Sequence, residues 1–182
     1  MSPRAIVISI LIATATPVVA EIEKLAVPSE RGMQFYWWPK LPPLEGWQHD
    51  REFSFKYGIN ALAPVGESFA NAETVMYAKA VFKPRVPDVK SLEQLVENDK
   101  REFKANVPGV VIAQAPGLLS ADGRKLISLT YTPNRAGNWE RVSYLEEGEF
   151  YLVFTVSSRS LAGFESSAKG YEALIARYRE KP

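Results

Sequence analysis

The chain has 182 residues, 46% hydrophobic, 12% aromatic and 24% charged, with no cysteine and a single histidine. That balance predicts one globular domain and excludes disordered, collagen-like, coiled-coil and disulfide-scaffold classes. With 22 Lys and Arg against 21 Asp and Glu, the chain has no net field to hold nucleic acid or an anionic membrane surface.

Met1 to Ala20 carries one charge, Arg4, followed by the apolar run Ala5 to Ala13 and then Pro17-Val18-Val19-Ala20 ahead of Glu21. This layout predicts a secretory signal peptide cleaved after Ala20, because the apolar run is about half of what a membrane-spanning helix needs. A periplasmic or secreted location follows, with no transmembrane segment after cleavage. Without disulfides, such a domain must draw its stability from a hydrophobic core.

Residues 21–43 hold Pro28, Pro39, Pro42 and Pro43 and read as an irregular N-terminal arm. The arm also carries the four consecutive aromatics Phe35, Tyr36, Trp37 and Trp38. From 44 to 182 the pattern is that of a single domain. Phe53, Phe55, Tyr57 and Ile59 alternate with Ser54, Lys56, Gly58 and Asn60, the period of a half-buried strand, which Pro64-Val65-Gly66 ends. Thr74 to Phe82 is apolar on both faces and predicts an inner strand. Ser91 and Gln94 form a capping box, and Leu92, Leu95, Val96 and Phe103 share one face of a helix reaching about Asn106, before Pro108-Gly109.

Val110 to Ala115 predicts a strand, Ala121 to Arg124 a turn, and Lys125 to Thr132 another strand. After a turn at Asn134 to Asn138, Glu140 to Leu145 and Glu149 to Val156 form a hairpin, and the unbroken apolar run from Phe150 to Phe154 places its second strand centrally. Leu161, Phe164, Ala168, Tyr171, Leu174, Ile175 and Tyr178 define a long amphipathic C-terminal helix, with Arg177 and Arg179 at the negative end of its dipole. Hairpin-length connections imply an antiparallel sheet, and two amphipathic helices must bury their stripes on it. The predicted class is α+β, an antiparallel sheet flanked by helices.

Several short phrases fall in the order seen in the PsbP/Mog1 family. They are Pro43-Leu44-Glu45-Gly46-Trp47 before a Phe-rich segment, a strand ending in a Pro-Val-Gly turn, and a Ser-Leu-Glu-Gln-Leu helix start. Asp122-Gly123-Arg124 before a strand and a last helix with Phe164 and Tyr178 complete the set. The chain resembles that family from Leu44 to Arg179. The resemblance implies an α-β-α sandwich used mainly for binding; it brings no catalytic motif, and the metal and chloride roles of photosynthetic members map onto no residue here.

One histidine and no cysteine argue against a zinc site, and neither Glu146-Glu147-Gly148-Glu149 nor Pro87-Asp88 has calcium-loop spacing. The acidic group reads as a solvated hairpin tip, and Trp47 as a core residue under a helix. No cofactor is predicted. Gly66-Glu67-Ser68-Phe69-Ala70 approaches a nucleophile elbow, with His49 and Asp50 as conceivable partners, but Ala70 stands where a glycine is required. Ser166-Ser167-Ala168-Lys169 has a Ser-x-x-Lys spacing without companion motifs. His49, just before the Phe-rich segment, is either a solvent-facing turn residue or a proton-sensitive contact.

The binding candidates are therefore Phe35, Tyr36, Trp37, Trp38 and His49. Either the arm exposes some of its aromatics as a contact surface, or it lies across the sheet and buries them. The expected function is a non-enzymatic secreted binding domain whose partner is a periplasmic or secreted protein, in an assembly, adaptor or inhibitor role. The alternative is a small-ligand site roofed by the arm, and a hydrolase using Ser68 and His49 comes third.

Overall fold

A computed structural model describes residues 22–30 and 32–179; the proposed signal peptide lies outside the described residues. Described elements run β1 (Ile22–Ser29), β2 (Gly32–Pro39), β3 (Trp47–His49), α1 (Arg51–Tyr57), β4 (Asn60–Pro64), β5 (Thr74–Phe82), α2 (Leu92–Asn106), β6 (Val111–Gln114), β7 (Ile127–Thr132), β8 (Trp139–Glu147), β9 (Phe150–Ser158) and α3 (Leu161–Arg177). Among the described residues the strands form a two-stranded ribbon, β1-β2, and a seven-stranded sheet in the order β3-β4-β5-β9-β8-β7-β6. Every described pairing is antiparallel. The protein is thus an α+β fold with helices on both faces of an antiparallel sheet, and β9 sits at its centre as its apolar run predicts.

The sheet's pleat assigns two faces. On one, Leu62, Met76, Ala78, Leu152, Phe154 and Val156 pack against Tyr171, Leu174, Ile175 and Tyr178 of the C-terminal helix region. Trp47 packs against the same core, with its indole nitrogen near Gly170 of α3. On the other face, Leu95 and Val96 of α2 cover Leu129, Tyr131, Val142, Tyr144, Tyr151 and Val153. Ser91 caps α2 by accepting the Gln94 N–H.

Three sequence expectations change. The arm is not irregular over 22–29 and 32–39: these residues pair as β1 and β2, from Ile22–Pro39 to Ser29–Gly32. A ribbon has free edges, where a proline such as Pro28 costs no ladder bond, and Pro39 stands at the end of its strand. The segment from Phe53 to Asn60 is not a strand but the helix α1 followed by β4. Its ends decide the matter. The Asp50 carboxylate accepts the Phe53 N–H at 3.0 Å as an N-cap, and Gly58, at φ +66°, supplies the left-handed C-cap. Finally, the acidic hairpin tip is solvated only in part. Glu147 is buried and accepts from the Tyr178 hydroxyl at 2.8 Å and from Arg124 at 3.2 Å.

Candidate functional site

Helix α2 covers only part of its face of the sheet. Where β5, β9 and β8 run beyond it, Val75, Tyr77, Ser157 and Glu140 form the floor of an open cleft of about 460 Å³. Phe53 and Tyr57 of α1 and Phe69 of the loop after β4 form its wall, and Asn138, Glu73 and Arg159 also line it.

The wall follows from local chemistry. Residues four apart on a helix share a face, so Phe53 and Tyr57 stack, with centroids 4.2 Å apart. Phe53 stacks equally closely, at 4.2 Å, on Phe69, and Phe69 meets Tyr77 edge-on at 5.8 Å. One carboxylate aligns these pieces. Asp50 Oδ1 caps α1, while Asp50 Oδ2 accepts the Phe69 N–H at 2.8 Å, tying the start of the helix to the loop. Ser54, buried, does the same for the strand beside it: its Oγ donates to the Asp50 carbonyl at 2.6 Å and accepts the Ala61 N–H at 2.9 Å. Arg159 fastens the loop's far end by donating to the carbonyls of Asn71 and Ala72.

The floor holds a carboxyl group in an apolar place. Glu140 shares its face of β8 with Val142 and Tyr144, and cross-strand pairing puts it opposite Ser157. Ser157 Oγ donates to Glu140 Oε1 at 2.7 Å and is itself held by Asn138 Nδ2 at 2.9 Å. Glu140 Oε2 is buried and has no hydrogen-bond partner among the described residues. Burial pushes the Glu140 carboxyl above the usual carboxylate range, against the pull of the Ser157 hydrogen bond. Burial likewise pushes the Tyr77 hydroxyl well up, and the nearby Glu140 adds to it. Asn138 and Glu140 also line an adjoining hollow of about 270 Å³ with Phe103, Val107, Val110, Tyr131 and Gly137. The carboxyl therefore stands between two depressions.

The aromatics singled out in the sequence lie elsewhere. Trp38 is 3% exposed and meets Phe55 edge-on at 6.2 Å. Trp37 stacks on Phe82 at 5.0 Å, and the Arg85 guanidinium stands 4.4 Å from its centroid. Lys24 lies 4.5 Å from the Phe35 ring, and Tyr36 packs on Gly58. Phe35, Tyr36 and Trp37 are half-buried, and none of the four lines the cleft.

His49 is exposed in β3, with Nε2 3.0 Å from Ser54 Oγ; burial of part of the ring and Arg51 lower its pKa despite Asp50 and Glu23. Ser68 Oγ donates to Asn71 Oδ1 at 3.0 Å, and Asp50 serves as a cap, so the three residues of the conceived triad hold other partners. Among the described residues no group of three or more His, Cys, Asp or Glu is placed to hold a metal, and no helix is long and apolar enough to cross a membrane.

Sequence reasoning missed Phe53, Tyr57, Phe69, Tyr77 and Glu140. Two signals for them exist. Asp50 before and Gly58 after a seven-residue segment mark a capped helix, and Glu140 is a charged residue in phase with the buried Val142 and Tyr144. Comparison of the chain with protein-family models gives no match, and comparison with curated proteins gives none either.

Proposed function

We propose that the protein is a non-catalytic, exported binding domain that holds a small organic molecule in the cleft between α1, the loop after β4 and the open part of the sheet. The observation that carries this is the union of a stacked aromatic wall, Phe69-Phe53-Tyr57, with a buried carboxyl group whose second oxygen is unpartnered. Concave sites lined by aromatic groups with a few fixed polar atoms are the usual form of small-ligand sites, and about 460 Å³ lies within their range. Export is supported by the layout of Met1 to Ala20. The Ser68 and His49 side chains each hold another partner, which supports binding rather than hydrolysis. The hairpin offers less to a protein partner, since its aromatic faces are packed or covered by Lys24 and Arg85.

Titration of isotope-labelled protein with a panel of small aromatic compounds, followed by amide chemical shifts, tests the proposal. Saturable shifts should cluster at Phe53, Tyr57, Phe69, Tyr77 and Glu140. Shifts confined to the β1-β2 hairpin, or none across the panel, would overturn it.

A further inference from the structure

We propose that the protein self-associates through β6, whose free edge pairs antiparallel with the β6 of a second copy across a two-fold axis at Ala113. No residue of β6 lines the cleft, so association and ligand binding are separate properties.

Strand edges are normally guarded, because their unpaired N–H and C=O groups template pairing with another chain. The edges at β3 and β1 follow that rule. β3, at the far end of the sheet, is three residues long, and β1 of the ribbon carries Glu23, Lys24 and Pro28. β6 has none of these devices. It pairs with β7 in continuous register from Val111–Thr132 to Gln114–Leu129, and no charged residue stands between Lys104 and Asp122 in a chain that is 24% charged. Val111 is 61% exposed, and Ala113 and Gln114 are exposed too.

The backbone selects the partner. Ala115 N–H donates to the Ser128 carbonyl at 2.9 Å, so the alternation of an antiparallel pair turns Val111 and Ala113 toward β7 and Ile112 and Gln114 away from it. The N–H and C=O groups of Ile112 and Gln114 have no partner among the described residues. One step further out, the ladder closes. Val110 N–H donates to the Val107 carbonyl at 3.1 Å, while Pro116 has no N–H and its carbonyl accepts from Arg141 at 2.8 Å. The open groups are therefore symmetric about Ala113. In a two-fold pairing centred there, Ile112 of each copy exchanges both hydrogen bonds with Gln114 of the other, and Val110 falls opposite Pro116, where pairing stops. Ala113 meets its own copy at a non-hydrogen-bonded position, where Cα atoms approach to about 4.5 Å and a small side chain fits. Exposed Val111 is then covered by Ala115 of the second copy. A foreign strand has to match this short uncharged register by chance, whereas a second copy matches it by symmetry.

Sedimentation equilibrium on the protein from about 10 μM to about 2 mM should show a monomer–dimer equilibrium with a dissociation constant on the order of 0.1 mM, as for a small transient interface. Two variants locate the contact. Gln114→Pro removes an outward N–H at an edge where proline is tolerated, and Ala113→Lys sets two ammonium groups against each other at the axis; each should weaken association at least about tenfold. An equimolar mixture of Ala113→Lys and Ala113→Glu should associate again, since opposite charges then meet across the axis. A protein still monomeric at about 2 mM would overturn the proposal. So would a dimer as strong in both variants as in the parent, or a mixture no better associated than either variant alone. The parent measurement and the mixture stand whether or not Gln114→Pro folds.

Discussion

Two groups of four aromatic side chains sit in this molecule on different terms. Phe35, Tyr36, Trp37 and Trp38 are adjacent in the chain, whereas Phe53, Tyr57, Phe69 and Tyr77 come from a helix, a loop and a strand. Adjacency scatters the first group. Neighbouring residues of a strand point to opposite sides, so Phe35 and Trp37 share one side with Lys24 near both rings, while Tyr36 reaches Gly58 and Trp38 reaches Phe55. Each finds its contacts within the fold. The second group converges because Asp50 and Ser54 hold α1, the loop and β4 together, and it presents its rings to an open cleft above a carboxyl group. Density of aromatics along a sequence thus marks packing here, and the surface available to a ligand is made by residues that only tertiary structure brings together.

The strongest way to break this contrast is Trp38→Ala. Removing a nearly buried indole should cost about 3–5 kcal/mol in denaturant unfolding, with ligand affinity per folded molecule unchanged. A loss of affinity without a loss of stability would reverse the roles of the two groups. Asp50→Ala should come next, at about 1–2 kcal/mol for the lost cap, and it should also weaken binding of a small aromatic ligand because Phe53 and Phe69 lose their common anchor. Unchanged affinity in that variant would separate the bridge from the wall.

Glu140 sharpens the comparison through pH. Its folded-state pKa is raised, so its favourable contribution is present below the unfolded value of about 4.3 and is lost as pH rises through the folded value. Gln loses nothing over that range. Measured by thermal unfolding, Glu140→Gln should match the parent near pH 4 and exceed it increasingly toward pH 7, the mark of a residue kept at a cost to stability. A gap that stays constant with pH would contradict this. The smallest expected change in stability is that of Tyr57→Ala. At 51% exposure, with one stacked neighbour, the ring should matter by about 0.5–1.5 kcal/mol to unfolding, while affinity for a small aromatic ligand should fall about fivefold. A large loss of stability would make Tyr57 a core residue.

Much of the fold is legible in the sequence because its periodicities are long. The apolar run of β5, the capping box of α2, the apolar centre of β9 and the stripe of α3 all appear where expected. The failures fall where the periodicity is short. Over the seven residues of α1, Phe53 and Tyr57 satisfy both a period of two and an i,i+4 spacing, and only the Asp50 cap and Gly58 distinguish them. The hairpin was hidden by prolines that a two-stranded ribbon tolerates. The candidate site was hardly legible at all. His49 and the arm residues are each engaged outside the cleft, and Glu140 gains its meaning from lying half-buried beside Ser157, which follows from strand register rather than local sequence.

The central claim is that the cleft, not the aromatic hairpin, holds the ligand. The most direct measurement is the set of intermolecular nuclear Overhauser effects from the ring protons of the tightest-binding compound of the aromatic panel, in complex with the protein. Contacts to the side chains of Phe53, Tyr57, Phe69 and Tyr77 are predicted; contacts to Phe35, Tyr36, Trp37 or Trp38 in their place would contradict it.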